Sequence, residues 1–383
     1  MKLLLFIGHH KVGSTSLQDF LWRNAAALLR AGILYPPVES DGHARLLRQA
    51  LDGPDAAPQP WNARESHNAL AFRMLFEAVN YPVPPWHPDL PSVHQMEVAI
   101  RNQIRIHQPR AVILCSEVFA NFGAWAPGLI ERIGRLFPAA EVSLHCTLRR
   151  PDQYIAAWHA QRIRFGEGVE PLRAGGLEEY RGTIHLDYAL LLAPWLKAFP
   201  RARLSLRNYD EVVAAGGSVA DFIAQSGLTF PAGLAPERRV NPSIHPALLE
   251  YARCAAARFP KAKAGRFGDF LISVSDRVGA PPRAQVELFG ARNRSALLSA
   301  FAPAEAFLGG LAGRPFFAQL SQVAAPRPVP EVEAARAARA PLLALLRGAA
   351  RAAPRPPDPP GSGAFDPALA ETFIPFVETL EIA

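Results

Sequence analysis

The chain opens on an unbroken apolar run, Lys2 to Ile7, and then changes period. From Thr15 the apolar positions Leu17, Phe20, Leu21, Ala25, Leu28 and Leu29 recur at helical spacing. The first pattern predicts a strand covered on both faces, and the second a helix. Gly32 is placed to close that helix as a C-terminal cap. Further apolar or β-branched runs at Ala111–Cys115, Val142–Leu148 and Ala202–Leu206 predict three more buried strands. Helical patterns separate them, at Ser92–His107, Gly128–Phe137, Gln153–Arg164 and Asp187–Phe199. Such alternation predicts an α/β fold, with a central parallel sheet flanked by helices in three layers and joined by right-handed crossovers.

Between Asp52 and Pro91 the chain is rich in proline, tryptophan and histidine, and a long irregular segment of that kind reads as a functional lid. From Asn241 to Phe317 the pattern is mostly helical. Val329–Ala353 is an Ala/Arg/Leu stretch that predicts a helix broken at Pro341, and Ala353–Gly363 is a linker by composition. The expected organisation is therefore a main domain at 1–320, a helix and linker at 321–365 and a C-terminal segment at 366–383.

A length of 383 residues allows two or three domains and a sizeable core. The net charge of +7 permits an anionic ligand, although abundant alanine, arginine and proline account for most of the excess. Cys115, Cys146 and Cys254 show no paired spacing and read as free thiols in a reducing compartment. The apolar start is too short for a signal peptide and runs directly into His-His-Lys. No apolar run approaches membrane-spanning length, so a cytoplasmic protein is expected. The basic stretch after Val329 suits either an anionic membrane surface or its own domain. No nucleic-acid partner is expected.

The turn between the first strand and helix reads GHHKVGST, Gly8 to Thr15. A glycine turn feeding a helix N-terminus aims backbone N–H groups and the helix dipole at one point, which suits phosphate or sulfate. Gly8 and Gly13 allow close approach of backbone to a ligand, and Ser14, Thr15 and Ser16 can donate from backbone and hydroxyl. The glycine spacing matches the Walker pattern GxxxxGK[ST], but the lysine has moved from beyond the second glycine to Lys11 inside the loop. That weakens a nucleotide-hydrolase reading and puts the ammonium beside a bridging oxygen of a shorter anhydride.

The segment HHKVGSTSLQDFL, His9 to Leu21, resembles the 5′-phosphosulfate loop of sulfotransferases that use 3′-phosphoadenosine 5′-phosphosulfate (PAPS), whose bacterial glycan-type members carry K-T-G-[TS]-T-S-L-Q. Val12 replaces the usual threonine, and AGILYP, Ala31 to Pro36, matches the segment after that helix in the family. The resemblance implies that PAPS is the donor and PAP the product, with no metal expected. It also implies that His9, Lys11, Gly13, Ser14, Thr15 and Ser16 hold the donor. In LHCTLRRPDQYIAAWHAQ, Arg149 and Pro151 match the family's R-x-P, whose arginine and following serine bind the 3′-phosphate. The register puts Ala157 where that serine is expected. The lost hydrogen bond costs roughly 1–3 kcal/mol unless Arg150, Arg162 or Arg164 compensates.

Sulfuryl transfer needs an acceptor hydroxyl deprotonated as it attacks sulfur, with most of the catalysis in positioning and charge stabilisation. Lys11 is the candidate to neutralise the leaving oxygen. Glu117, at the end of the Ala111–Cys115 strand, is the candidate base, and Ser116-Glu117 resembles the family's S-E. A capping role at the next helix is the plainer reading of Glu117. His9 and His10 are rival bases, and His159 is a weaker one. The tryptophan region from Trp61 to Trp86 suits acceptor contacts, for example with a sugar or glycolipid. A P-loop kinase or nucleotide hydrolase, and a non-catalytic domain with weakened donor binding, are the alternatives.

Overall fold

The computed structural model describes residues 1–53, 59–238, 243–351 and 366–382. The linker expected at Ala353–Gly363, and the first residues of the stretch expected to be helical from Asn241, lie outside the described residues. The chain forms two compact units whose segments interleave. The first comprises Met1–Arg150, Gly182–Val240 and Pro303–Phe317, and the second the remainder.

The first unit is built on a five-stranded sheet in the order β2-β3-β1-β4-β5. Its strands are β1 (Lys2–Phe6), β2 (Ile33–Leu34), β3 (Ala111–Cys115), β4 (Glu141–Leu148) and β5 (Arg203–Asn208). Every pairing is parallel, with Phe6 opposite Cys115 on one side and His145 on the other. The α/β architecture expected from the alternating pattern is therefore present, a parallel sheet with helices on its faces. Leu3–Phe6 and the whole of β3 are buried, which explains why these strands read as continuous apolar runs. With β1 central, the chain winds to one side through β2 and β3 and then crosses to β4 and β5. The order reverses at the carboxyl end of β1, the place where ligands of open α/β sheets bind.

Four sequence expectations change. The first helix is two, α1 (Ser14–Arg23) and α2 (Ala25–Arg30). Asn24 divides them: its Nδ2 donates to the Phe20 and Ala235 carbonyls at 2.9 and 3.1 Å, and its Oδ1 accepts the Ala235 N–H at 2.8 Å. A side chain that competes for backbone partners ends the helix while the apolar phase runs on. The segment expected to be an irregular lid instead carries helices Trp61–Arg64 and Ser66–Val79. Six consecutive residues of the second, Ser66–Ala71, are buried, so it is part of the core. The helix Glu331–Ala350 runs through Pro341 without a break. Lastly, the helix Gly290–Ala312 is long and apolar enough to cross a membrane by length and composition alone. Arg292, Arg294 and Glu305 interrupt it, which is why it does not read as an apolar run.

In the second unit the helices Leu249–Arg258, Lys261–Val274 and Pro367–Thr379 share an aromatic core. Phe267 and Phe373 stack with centroids 4.0 Å apart, and Phe259 packs edge-on to Phe373 at 4.9 Å. The Glu331–Ala350 helix buries Ala334, Ala335, Ala338, Leu342 and Leu346.

Candidate active site

The site at the end of β1 is built outward from its loop. Ile7 and His9 still donate to the β4 carbonyls of His145 and Thr147, at 2.9 and 3.1 Å. Gly8 lies between them, and a Cβ there would stand 2.7 and 2.8 Å from the Thr147 N and O. The absence of a side chain at Gly8 therefore serves strand packing. The turn proper is made by two left-handed residues, Lys11 at φ 62° and Gly13 at φ 85°. Glycine adopts that region freely, whereas lysine is strained there. Gly13 is also pinned from outside, by the Ser218 hydroxyl donating to its carbonyl at 3.0 Å.

Helix α1 begins at Ser14 with no side-chain cap. Its first backbone N–H groups are the ordinary orphans of a helix start, and they carry the positive end of the helix dipole. Ser14 and Ser16 are buried, while Lys11 and Thr15 are half-buried. The Ser14 hydroxyl is engaged with Glu117. Ser14 is thus available to an anion through its backbone N–H, not through both groups as expected.

Arg149, at the end of β4, reaches the loop from one side. Its Nη1 donates to the Lys11 carbonyl at 3.4 Å, and its guanidinium stacks over Tyr209 at 4.9 Å. The Tyr188 hydroxyl donates to the Arg149 carbonyl at 2.7 Å. Ala157 lies on the helix Pro151–Arg164 of the second unit.

Glu117 stands on the other side, at the end of β3. Gln18 Nε2 donates to its Oε2 at 2.8 Å, and Asn68 Nδ2 to its Oε1 at 3.2 Å. The same Asn68 Nδ2 donates to Glu65 Oε2 at 3.0 Å, and Arg64 Nη2 donates to Glu65 Oε1 at 3.1 Å. Burial raises the Glu117 carboxyl above its ordinary value, against the pull of these hydrogen bonds. Glu65 is pushed up to about 7, first by burial and then by the Glu117 charge, with Arg64 opposing. His67 fixes the strand end from the neighbouring position: its Nδ1 accepts the Cys115 N–H at 3.0 Å and its Nε2–H donates to the Pro36 carbonyl at 3.1 Å.

The loop histidines differ from the carboxylates. His9 is fully buried, bonds the Ile184 carbonyl through Nε2 at 3.0 Å and meets Tyr188 edge-on at 4.3 Å. Burial holds it well below its ordinary range. Protein packed around His10, and the Lys11 ammonium, lower it to about 3. A base that weak receives a proton poorly at neutral pH. His159 is held by the Tyr180 hydroxyl at 2.7 Å.

The structure brings together Lys11, Gly13, Ser14, Glu117 and Arg149. It adds Gln18, Glu65, Asn68 and Ser218, to which no role was attached from the sequence. For Gln18 a signal existed, since it stands one turn after Ser14 within the same motif. The other three are distant polar residues with no pattern of their own. Among the described residues no group of three His, Cys, Asp or Glu could hold a metal ion.

No family model matches the sequence. A stretch of 136 residues is 24% identical to an uncharacterized protein of Archaeoglobus fulgidus; it covers 35% of this chain and 34% of that relative, about a third of each. The structure is similar to the crystal structure of a sulfotransferase from Alicyclobacillus acidocaldarius, with a TM-score of 0.42 and 16% identity over 82% of this chain and 96% of that one.

Proposed function

We propose that the protein transfers a sulfuryl group from PAPS to a hydroxyl of an acceptor, in a crevice formed by the β1–α1 loop and the ends of β3 and β4. The observation that carries this reading is the placement of Lys11. It stands inside a turn of two left-handed residues that leads into an uncapped helix start, with Arg149 touching the same turn. A cation and several amides at one helix N-terminus suit a compact dianion. The lysine's position before Gly13 suits a bridging oxygen more than the outer phosphates of a nucleoside triphosphate.

Bound there, PAPS supplies an activated S–O bond to a phosphate leaving group. The amides of Ser14, Thr15 and Ser16 hold the phosphosulfate, and Arg149 holds the 3′-phosphate. Lys11 stabilises charge on the departing oxygen. Glu117 takes the proton of the acceptor hydroxyl: burial raises its carboxyl, while burial lowers His10 to about 3 and holds His9 well below its ordinary range. The acceptor is a carbohydrate or glycolipid: Trp61 is 42% exposed, 6.3 Å from Trp86, and its ring is steadied by the Arg64 guanidinium at 4.1 Å. Aromatic faces of this kind stack on sugar rings.

A thermal shift with PAP, ADP and ATP tests the donor site, because a ligand bound only by the folded chain raises Tm with occupancy. PAP is expected to raise Tm, and Lys11→Ala to abolish transfer of labelled sulfate from PAPS while the variant stays folded. A Tm response to ATP with none to PAP would point to a nucleotide kinase or hydrolase and overturn the reading.

A further inference from the structure

We propose that Glu65 and Glu117 act as one protonic unit joined through Asn68, in which Glu65 is a positioning residue that retains the proton and Glu117 is left ionised to receive another. The assignment of Glu117 as base rests on the function proposed above; the shared proton does not.

The geometry begins with the Asn68 amide. Its Oδ1 accepts from the Ser116 hydroxyl at 2.7 Å and from Gln18 Nε2 at 3.2 Å. Its Nδ2 lies nearest to Glu65 Oε2 and Glu117 Oε1, at 3.0 and 3.2 Å, with Gln18 Oε1 farther off at 3.4 Å. The amide cannot be turned over without setting its oxygen against two carboxylates. One buried amide therefore holds two acids at fixed spacing. Two like charges so placed do not both ionise at the same pH, and the protons leave in two steps that belong to the pair.

The surroundings decide where the retained proton sits. Glu65 is 4% exposed, and the donors to its two oxygens are Arg64 and Asn68. Glu117 is half-buried and receives the Ser14 hydroxyl, Gln18, Asn68 and a backbone N–H at the start of its own helical turn. More donors favour the charge on Glu117. Tyr35, Cys115 and His67, which border the pair, are neutral near pH 7. Burial raises Tyr35 and Cys115, and the two carboxylates raise them further. His67, beside Asn68 on the same helix, is lowered to about 3 by burial. Arg64 is the charged partner of Glu65, α1 contributes the uncharged Ser14 and Gln18, and the loop before α1 carries the Lys11 ammonium.

Infrared titration of the full chain without substrate tests this through the C=O stretch of protonated carboxyl groups. The wild type is expected to show protonated-carboxyl absorption at neutral pH that titrates near 7, and Glu65→Gln to remove the Glu65 share of its amplitude. Glu117→Gln is expected to move its midpoint down by about one pH unit, because the neighbouring charge is gone. Glu331 in the second unit is also raised to about 7, so its band persists in both variants as an internal reference. An unchanged titrating amplitude in Glu65→Gln, or an unmoved midpoint in Glu117→Gln, overturns the proposal. Should Glu65→Gln fail to fold, the midpoint in Glu117→Gln decides alone. Because no donor is present, an absence of sulfuryl transfer would leave the infrared result standing.

Discussion

Lys11 sets two demands against each other at a single residue. Its side chain is the one the proposed chemistry needs, while its backbone takes a conformation that disfavours any residue with a Cβ. The strain is on the order of 1 kcal/mol. Lys11→Gly is therefore expected to keep or raise Tm while abolishing sulfuryl transfer, with both read on the same preparation. A drop of several degrees would mean that the ammonium stabilises the fold. The loop lysine was legible in the sequence because the period changes at it and glycines flank it. Glu117 was legible from its place at a strand end. Glu65 and Asn68 were not, because they lie 52 and 49 positions from Glu117 and look like ordinary polar helix residues.

Legibility at the level of elements followed length and phase. Strands of five or more residues were found from their apolar runs, whereas the two-residue β2 is too short to show a pattern. The break at Asn24 was hidden because Ala25, Leu28 and Leu29 continue the apolar phase of α1. Pro341 misled in the opposite sense. Proline in a helix interior removes a hydrogen bond and crowds the preceding turn, yet Leu342 and Leu346 are fully buried and hold the helix across it. Packing outweighed propensity there. Pro341→Ala is accordingly expected to stabilise the protein by roughly 1–3 kcal/mol in denaturant titration, with no effect on transfer. A destabilised variant would show that the proline ring itself fills the core.

The molecule as a whole carries buried titratable groups of two opposing kinds. Burial lowers His10, His67 and His159 to about 3, and His87 and His145 to about 4. Such groups bind protons more readily in the unfolded chain, so stability is lost as pH falls below about 6.5. Glu65 and Glu331, raised to about 7, bind protons more readily in the folded chain and oppose that loss between about 4.5 and 7. The histidines are more numerous, so Tm is expected to fall steadily from pH 7 to pH 5. A Tm that rises on acidification would show that the carboxyl groups dominate. The helix Ser66–Val79 ties this protonic balance to the sheet, since its adjacent His67 and Asn68 grip the end of β3 and the Glu117 carboxylate. It acts as an interlock: any swing of that helix away from the sheet would loosen the strand and release the Glu117 carboxylate from Asn68 in one movement. On the function proposed above, an opened molecule would then be chemically mute.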